Sequence, residues 1–252
     1  MALKNIFPIC CDSLPETSQS ICIGPSQSFK SSLLFQFCYT CLQQQPDSVV
    51  LVICPQQVQQ LPLLVQRMSS PTADQANRLQ IIYLTTLEDL LDYLARMNTL
   101  DMRLSAIAVD DLNLFMMRRR EVRRTRDQLG YEQLLGRIFA LLQDTIGHLE
   151  NKSSPHSPSI QLLIMSSFDQ HFTHNLAAGD GLCRQFFDQV FLVRFIKSEE
   201  QQTKDHPRMV ELQEPLLGLV IHFIRNNQFI VLKSVLKRKT ATGQELPPSP
   251  KA

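Results

Sequence analysis

The run Val49-Val50-Leu51-Val52-Ile53 places five apolar, mostly β-branched residues in succession with no polar alternation. A strand of that kind must be covered on both faces, the situation of a parallel sheet with helices on either side. Leu79 to Leu84, Leu104 to Val109 and Ile160 to Met165 predict further strands, and Ser20-Ile21-Cys22-Ile23 is a shorter one ending at Gly24. Helical stripes stand between them. Residues Ser31 to Leu42 carry apolar side chains at 33, 34, 37, 38, 41 and 42, the spacing of a helix face. Leu87, Leu90, Leu91, Leu94 and Met97 form a second stripe, preceded by Thr85-x-x-Glu88 in the form of a capping box. Tyr131, Leu134, Leu135, Ile138, Leu142, Ile146 and Leu149 form the longest.

Towards the end of the chain the pattern changes. Val190 to Ile196, Met209 to Leu212 and Leu219 to Leu232 are strand-like, and Asn226-Asn227 suits a hairpin turn. The expectation is an α/β fold, a mostly parallel sheet flanked by helices with antiparallel C-terminal strands. Residues 18–236 read as one domain, 1–17 as an N-terminal extension, and the Pro-containing 237–252 as a disordered tail.

Composition narrows the function classes. The chain has 252 residues, 44% hydrophobic, with a net charge of +1. That excludes a globally basic nucleic-acid coat, so such binding would need a local patch. No apolar run approaches the roughly 20 residues of a membrane span, and Met1 to Pro15 does not read as a signal peptide. Seven cysteines, an odd number, sit mostly among aliphatic residues, which fits a reducing compartment. Cys38 and Cys41 have the spacing of half a zinc knuckle, but no second pair follows and both fall within an apolar helix pattern. The histidines at 148, 156, 171, 174, 206 and 222 show no metal or triad spacing with nearby acids.

The chemically loaded stretch is Gly24-Pro25-Ser26-Gln27-Ser28-Phe29-Lys30-Ser31. It matches G-x-x-x-x-G-K-[ST] at every fixed position except Phe29, which stands where the second glycine belongs. In such a loop the backbone N–H groups and the helix N-terminus hold phosphate, the lysine neutralises charge, and the hydroxyl reaches magnesium. A phenyl ring in the glycine position predicts backbone strain, an obstructed phosphate space, or both. Leu104 to Asp110 has the form of a Walker B strand whose terminal acid holds magnesium beside the loop. Gly24, Lys30, Ser31 and Asp110 are therefore the candidate residues for ATP, with Ser31 and Asp110 the candidates for magnesium.

Ile21-Cys22-Ile23-Gly24, Lys30-Ser31-Ser32-Leu33-Leu34, Arg78-Leu79-Gln80-Ile81 and Ala108-Val109-Asp110-Asp111-Leu112 together carry a family resemblance. Across residues 18–195 the order resembles RecA-like recombinases and their paralogues. The small ATPase-like paralogues that pair with a SWIM-type zinc-finger protein in Shu-type complexes are similar in lacking a separate N-terminal DNA-binding domain. The resemblance implies a RecA-like P-loop ATPase core and a nuclear role in homologous recombination, DNA repair and meiosis. Its implied partners are a SWIM-type zinc-finger protein, recombinases or their paralogues, and single-stranded DNA. RecA-like ATPases place a water-activating glutamate just after the strand that follows the phosphate-loop helix. Here the chain reads Ile53-Cys54-Pro55-Gln56-Gln57, and an amide cannot take a proton from water as a carboxylate does. Weak or lost hydrolysis is the expectation.

Arg118, Arg119, Arg120, Arg123, Arg124 and Arg126 place six arginines in nine residues, on the side where RecA-like proteins carry DNA-facing loops. Guanidinium groups suit phosphate contacts, although a charge run is also the ordinary dress of a solvated helix face. Phe168, His171, Phe172 and His174 follow the fourth strand, where a second DNA loop would sit, and are equally at home as packing residues. Ile6, Phe7 and Ile9 form an apolar strip suited to adding a strand to a neighbouring subunit. Two other functions fit the same motifs: an active P-loop NTPase or small-molecule kinase using the arginines as a clamp, and an interaction scaffold without DNA binding.

Overall fold

The computed structural model describes residues 18–60, 62–65, 70–99, 102–118, 128–152, 158–167, 181–196, 209–226 and 229–237. Its strands are β1 (Gln19–Ile23), β2 (Val49–Cys54), β3 (Leu64–Val65), β4 (Leu79–Tyr83), β5 (Leu104–Val109), β6 (Gln161–Ser166), β7 (Gln189–Ile196), β8 (Met209–Glu214), β9 (Leu219–Asn226) and β10 (Phe229–Lys237). All ten belong to one sheet in the order β3-β10-β9-β8-β7-β1-β6-β5-β2-β4. From β7 to β4 each neighbouring pair is parallel. From β7 to β10 the pairs are antiparallel, and β3 pairs parallel with the start of β10. The molecule is thus an α/β protein with a large mixed sheet. β10 continues to Lys237, past the expected end at Leu232, after a bulge between Leu232 and Ser234.

The helices are α1 (Lys30–Gln44), α2 (Ala73–Asn77), α3 (Leu87–Arg96), α4 (Leu112–Arg118), α5 (Gln128–Lys152) and α6 (Leu182–Phe186). Chain direction explains where they lie. From β1 the chain passes through α1 outward to β2. It then returns from β4 through α3 to β5 and through α5 to β6, and reaches β7 on the far side of β1. Right-handed crossovers running in opposite directions put their helices on opposite faces. Accordingly α1 covers one face, and α3, α4, α5 and α6 cover the other.

The uninterrupted apolar strands serve both layers by alternation. Ile21, Ile23, Leu51, Ile53, Ile107, Val109, Leu162 and Ile164 face the multi-helix layer. Cys22, Val50, Val52, Ala106, Ala108, Leu163 and Met165 face α1. The two alanines of β5 leave room for α1, which crosses over that strand. α1 is buried almost all round, including Leu33, Leu34, Phe35, Phe37, Cys38, Cys41 and Leu42. Cys38 and Cys41 are therefore packing residues, and burial raises the Cys38 thiol well above its ordinary range. Past the C-terminal end of α1, Arg78 gathers carbonyls: Nη2 donates to Leu42 O at 3.1 Å, and Nη1 to Gln45 O at 3.1 Å and Ser48 O at 2.9 Å. A guanidinium there complements the negative end of the helix.

The capping box of α3 falls one residue later than the sequence spacing suggests. Thr86 accepts from Asp89 N at 3.0 Å, and the Asp89 carboxylate accepts from Thr86 N at 3.0 Å. Beginning there sets Leu87, Leu90 and Leu94 on the buried face, while Glu88 stays exposed. The two-residue β3 and the five-residue α2 were not expected. α2 buries no side chain and is held by a Thr72–Gln75 capping box, so no apolar periodicity announces it.

Candidate functional site

β1 ends at Ile23, and the chain turns at Gly24 into the loop that α1 closes. Gly24 N donates to Ser166 O on β6 at 3.1 Å. On its other side stands β7: a Cβ at Gly24 would lie 2.5 Å from Val193 Cβ and 2.7 Å from Val193 O. The missing side chain is what lets these strands stand together at the root of the loop.

Gln27 and Phe29 both have φ of 62°. Left-handed residues of this kind curl successive N–H groups into an anion-binding concavity. The first-turn N–H groups of α1, at Lys30, Ser31 and Ser32, add the positive end of a helix. Phe29 therefore keeps the backbone conformation a glycine would adopt, at φ 62°, ψ 14°, with a strain of ~1–2 kcal/mol. Its ring packs against the apolar layer around α1. Of the two expected consequences of this residue, the strained backbone is present.

Lys30 is 5% exposed and lies across the base of the loop. Nζ donates to Gly24 O at 3.1 Å, to Pro25 O, and to Ser28 Oγ at 3.1 Å. Burial pushes its ammonium below the usual range, opposed by nearby groups that include Asp111 and Asp110. Ser31 Oγ donates to the Asp110 carboxylate, 3.0 Å from Oδ1 and 2.9 Å from Oδ2. Asp110 is fixed at the end of β5 by its own N–H, which donates to Ile53 O at 2.9 Å. Residues 79 positions apart thus meet as the sequence motifs predict.

A polar framework continues beyond this pair. Asp111, at φ 44°, accepts from Ser167 N at 3.1 Å through Oδ1. Asn113 Nδ2 donates to Ser167 O at 2.8 Å, and Tyr131 OH donates to Asn113 Oδ1 at 2.7 Å. The ends of β5 and β6 and the starts of α4 and α5 are joined here. The donor set suits magnesium, a hard cation that takes one or two carboxylates and completes its shell with water and phosphate oxygens. Among the described residues no group of three or more His, Cys, Asp or Glu is gathered for a metal ion, so Asp110 and Ser31 would hold one only together with a phosphate ligand.

Burial lifts the Asp110 carboxyl to about 6, with Asp111 adding to the rise and Ser31 and Lys30 opposing it. Between 3.8 and that value the folded state holds a proton the unfolded chain has released, so this group's contribution to stability falls as pH rises through that window. Asp110→Asn cannot ionise. It is expected to raise the melting temperature at pH 7.5 and to leave it nearly unchanged at pH 4, measured by differential scanning fluorimetry. An equal shift at both pH values would remove the ionisation from this account.

Of the other sequence candidates, Arg118 is the last residue of α4. Arg119, Arg120, Arg123, Arg124 and Arg126 lie outside the described residues, as do Phe168, His171, Phe172, His174 and the N-terminal strip. Gln56 is exposed in the turn after β2.

His222, which has no metal or triad spacing with nearby acids in the sequence, has cross-strand partners: Nε2 lies 3.1 Å from Glu211 Oε2, and Nδ1 lies 2.8 Å from Ser234 Oγ. Glu211 also meets Arg194 Nε at 3.0 Å. Arg194, Glu211, His222 and Ser234 are direct cross-strand partners, one from each of β7 to β10. Sequence spacing missed them because strand register, which no local pattern carries, creates the row. The order hydroxyl, imidazole, carboxylate is that of a hydrolase triad, but the Arg194 charge already counters Glu211, and the row runs across a sheet face as cross-strand pairing.

No protein-family model matches the chain, and no curated protein matches it as a relative. No helix among the described residues is long and apolar enough to cross a membrane.

Proposed function

We propose that this chain is a RecA-like accessory factor of homologous recombination and double-strand break repair. In this reading it acts in the nucleus with a SWIM-type zinc-finger partner, binds single-stranded DNA through its arginine run, and supports the recombinase filament. It binds ATP and magnesium at the Gly24–Ser31 loop and hydrolyses little or none.

The observation that carries the reading is the contact of Ser31 with Asp110 beside a loop spanned by Lys30. A lysine, a hydroxyl and a partly buried acid at one helix N-terminus are the equipment for a magnesium-bound phosphate. The site stands at the carboxyl ends of the parallel strands, beside β1, where the chain's outward and return paths diverge; open α/β sheets bind ligands at such points. α4 leads from this cluster directly to the arginines. Weak hydrolysis follows from Gln56 in the turn after β2, since an amide is no general base.

Fluorescence anisotropy with a single-stranded oligonucleotide tests the DNA arm. With all six arginines (118, 119, 120, 123, 124 and 126) changed to glutamine, affinity near 150 mM salt is expected to fall at least about tenfold. The salt slope should shrink by up to ~4, from ~0.7 per phosphate released. Unchanged affinity would remove the arginines from the reading. Partner capture without DNA or nucleotide binding would favour the scaffold, and a substrate-dependent phosphotransfer product would favour the kinase.

A further inference from the structure

The three ammonium hydrogens of Lys30 meet three acceptors, and these are not equivalent. Two are main-chain carbonyls, Gly24 O and Pro25 O, fixed by the path of the loop. The third is the Ser28 hydroxyl, 3.1 Å away, which itself donates to Pro25 O at 2.8 Å. Ser28 is 1% exposed, so this hydroxyl is built into the interior of the loop. We infer that Ser28 Oγ is an internal stand-in for a phosphate oxygen. It fills the one replaceable acceptor position on Lys30 and so weakens the loop's affinity for phosphate-bearing ligands. The inference rests on the phosphate-loop reading above and names the residue that tunes that site.

The physical basis is a difference between two states. A buried ammonium needs all its donors satisfied, and in the ligand-free chain Ser28 supplies the last acceptor. A phosphate oxygen is charged and accepts more strongly than a neutral hydroxyl, but it must first displace the bond already made. Removing the hydroxyl leaves the ligand-free chain with an unmet ammonium donor. The phosphate-bound chain loses nothing at Lys30. Ser28→Ala therefore moves two observables in opposite directions: the free protein melts lower and the ligand binds tighter. A serine that only shaped the loop would lower both.

The test is isothermal titration with ADP and with magnesium-ATP, alongside melting temperatures, for the wild-type chain, Ser28→Ala, Ser28→Cys, Ser28→Thr and Phe29→Gly. Ser28→Ala is expected to bind about tenfold tighter than wild type, the size of one hydrogen bond to a charged group, with a lower melting temperature. Ser28→Cys keeps the side-chain volume with a poorer acceptor and is expected to tighten binding less, so it also serves should the alanine variant fold poorly. Ser28→Thr retains a hydroxyl and is expected to bind no tighter than wild type, whatever its added methyl group costs in melting temperature. Unchanged or weaker binding in both Ser28→Ala and Ser28→Cys, while wild type or Phe29→Gly binds, overturns the role of Ser28 alone. Absence of binding in every variant, including Phe29→Gly with its restored glycine, overturns the phosphate-loop reading with it.

Discussion

Arg184→Leu is expected to lower the free energy of unfolding by ~3–5 kcal/mol, measured by chemical denaturation. Arg184 on α6 and Glu214 at the end of β8 form an ion pair at 2.6 Å, with side chains only 6% and 1% exposed. The second Glu214 oxygen accepts from Leu217 N at 2.6 Å. Removing the guanidinium strands a carboxylate where water cannot reach it, which costs far more than the intact pair contributes. The double variant Arg184→Leu/Glu214→Leu is therefore expected to recover most of the loss. Among the described residues Arg184 Nε and Nη2 meet no acceptor. A single variant within 1 kcal/mol of wild type would show that α6 does not depend on this contact.

Gly24→Ala is expected to cost ~3 kcal/mol, the upper end for inserting a methyl group into a closed site. The obstruction at 2.7 Å is the Val193 carbonyl, part of the β7 backbone, so relief requires β1 and β7 to move apart. For a domain of this size the loss corresponds to a drop of ~6–12 °C in melting temperature. Gly147→Ala provides the contrast. A Cβ there meets nothing within 4 Å, and in the interior of α5 the change is expected to stabilise by ~0.5–1 kcal/mol. If Gly24→Ala melts with wild type, the tight junction of β1 with β7 is not what that glycine serves.

The sheet's parallel half was legible because burial on both faces writes itself into composition: a run such as Val49 to Ile53 has no solvent side to mark. Strand direction then follows from the helices between strands. The contact of Ser31 with Asp110 was legible for a related reason, since one motif places Ser31 at the start of the helix after β1 and the other places Asp110 at the carboxyl end of β5. What could not be read was set by pairing across long separations. The His222 partners depend on the register of the C-terminal meander and on a bulge in β10. The Arg184–Glu214 pair depends on how a five-residue helix meets a strand end. Ser28 was an unmarked position between fixed motif residues, and its hydroxyl gains meaning only from the path of the Lys30 side chain. Phe29 was legible as a departure, but the direction of its ring was decided by the apolar layer around α1.

The row Arg194–Glu211–His222–Ser234 also bears on how the polypeptide is made. A slip of one residue in any of its four strands would turn that strand's member to the opposite face and part it from its neighbours. Translation delivers β10 after β7, β8 and β9, so the imidazole waits for its hydroxyl until Ser234 has been added. A premature stop before codon 234 would release a chain whose meander lacks the piece that locks its alignment, even though every residue of the Gly24–Asp110 cluster had already been synthesised.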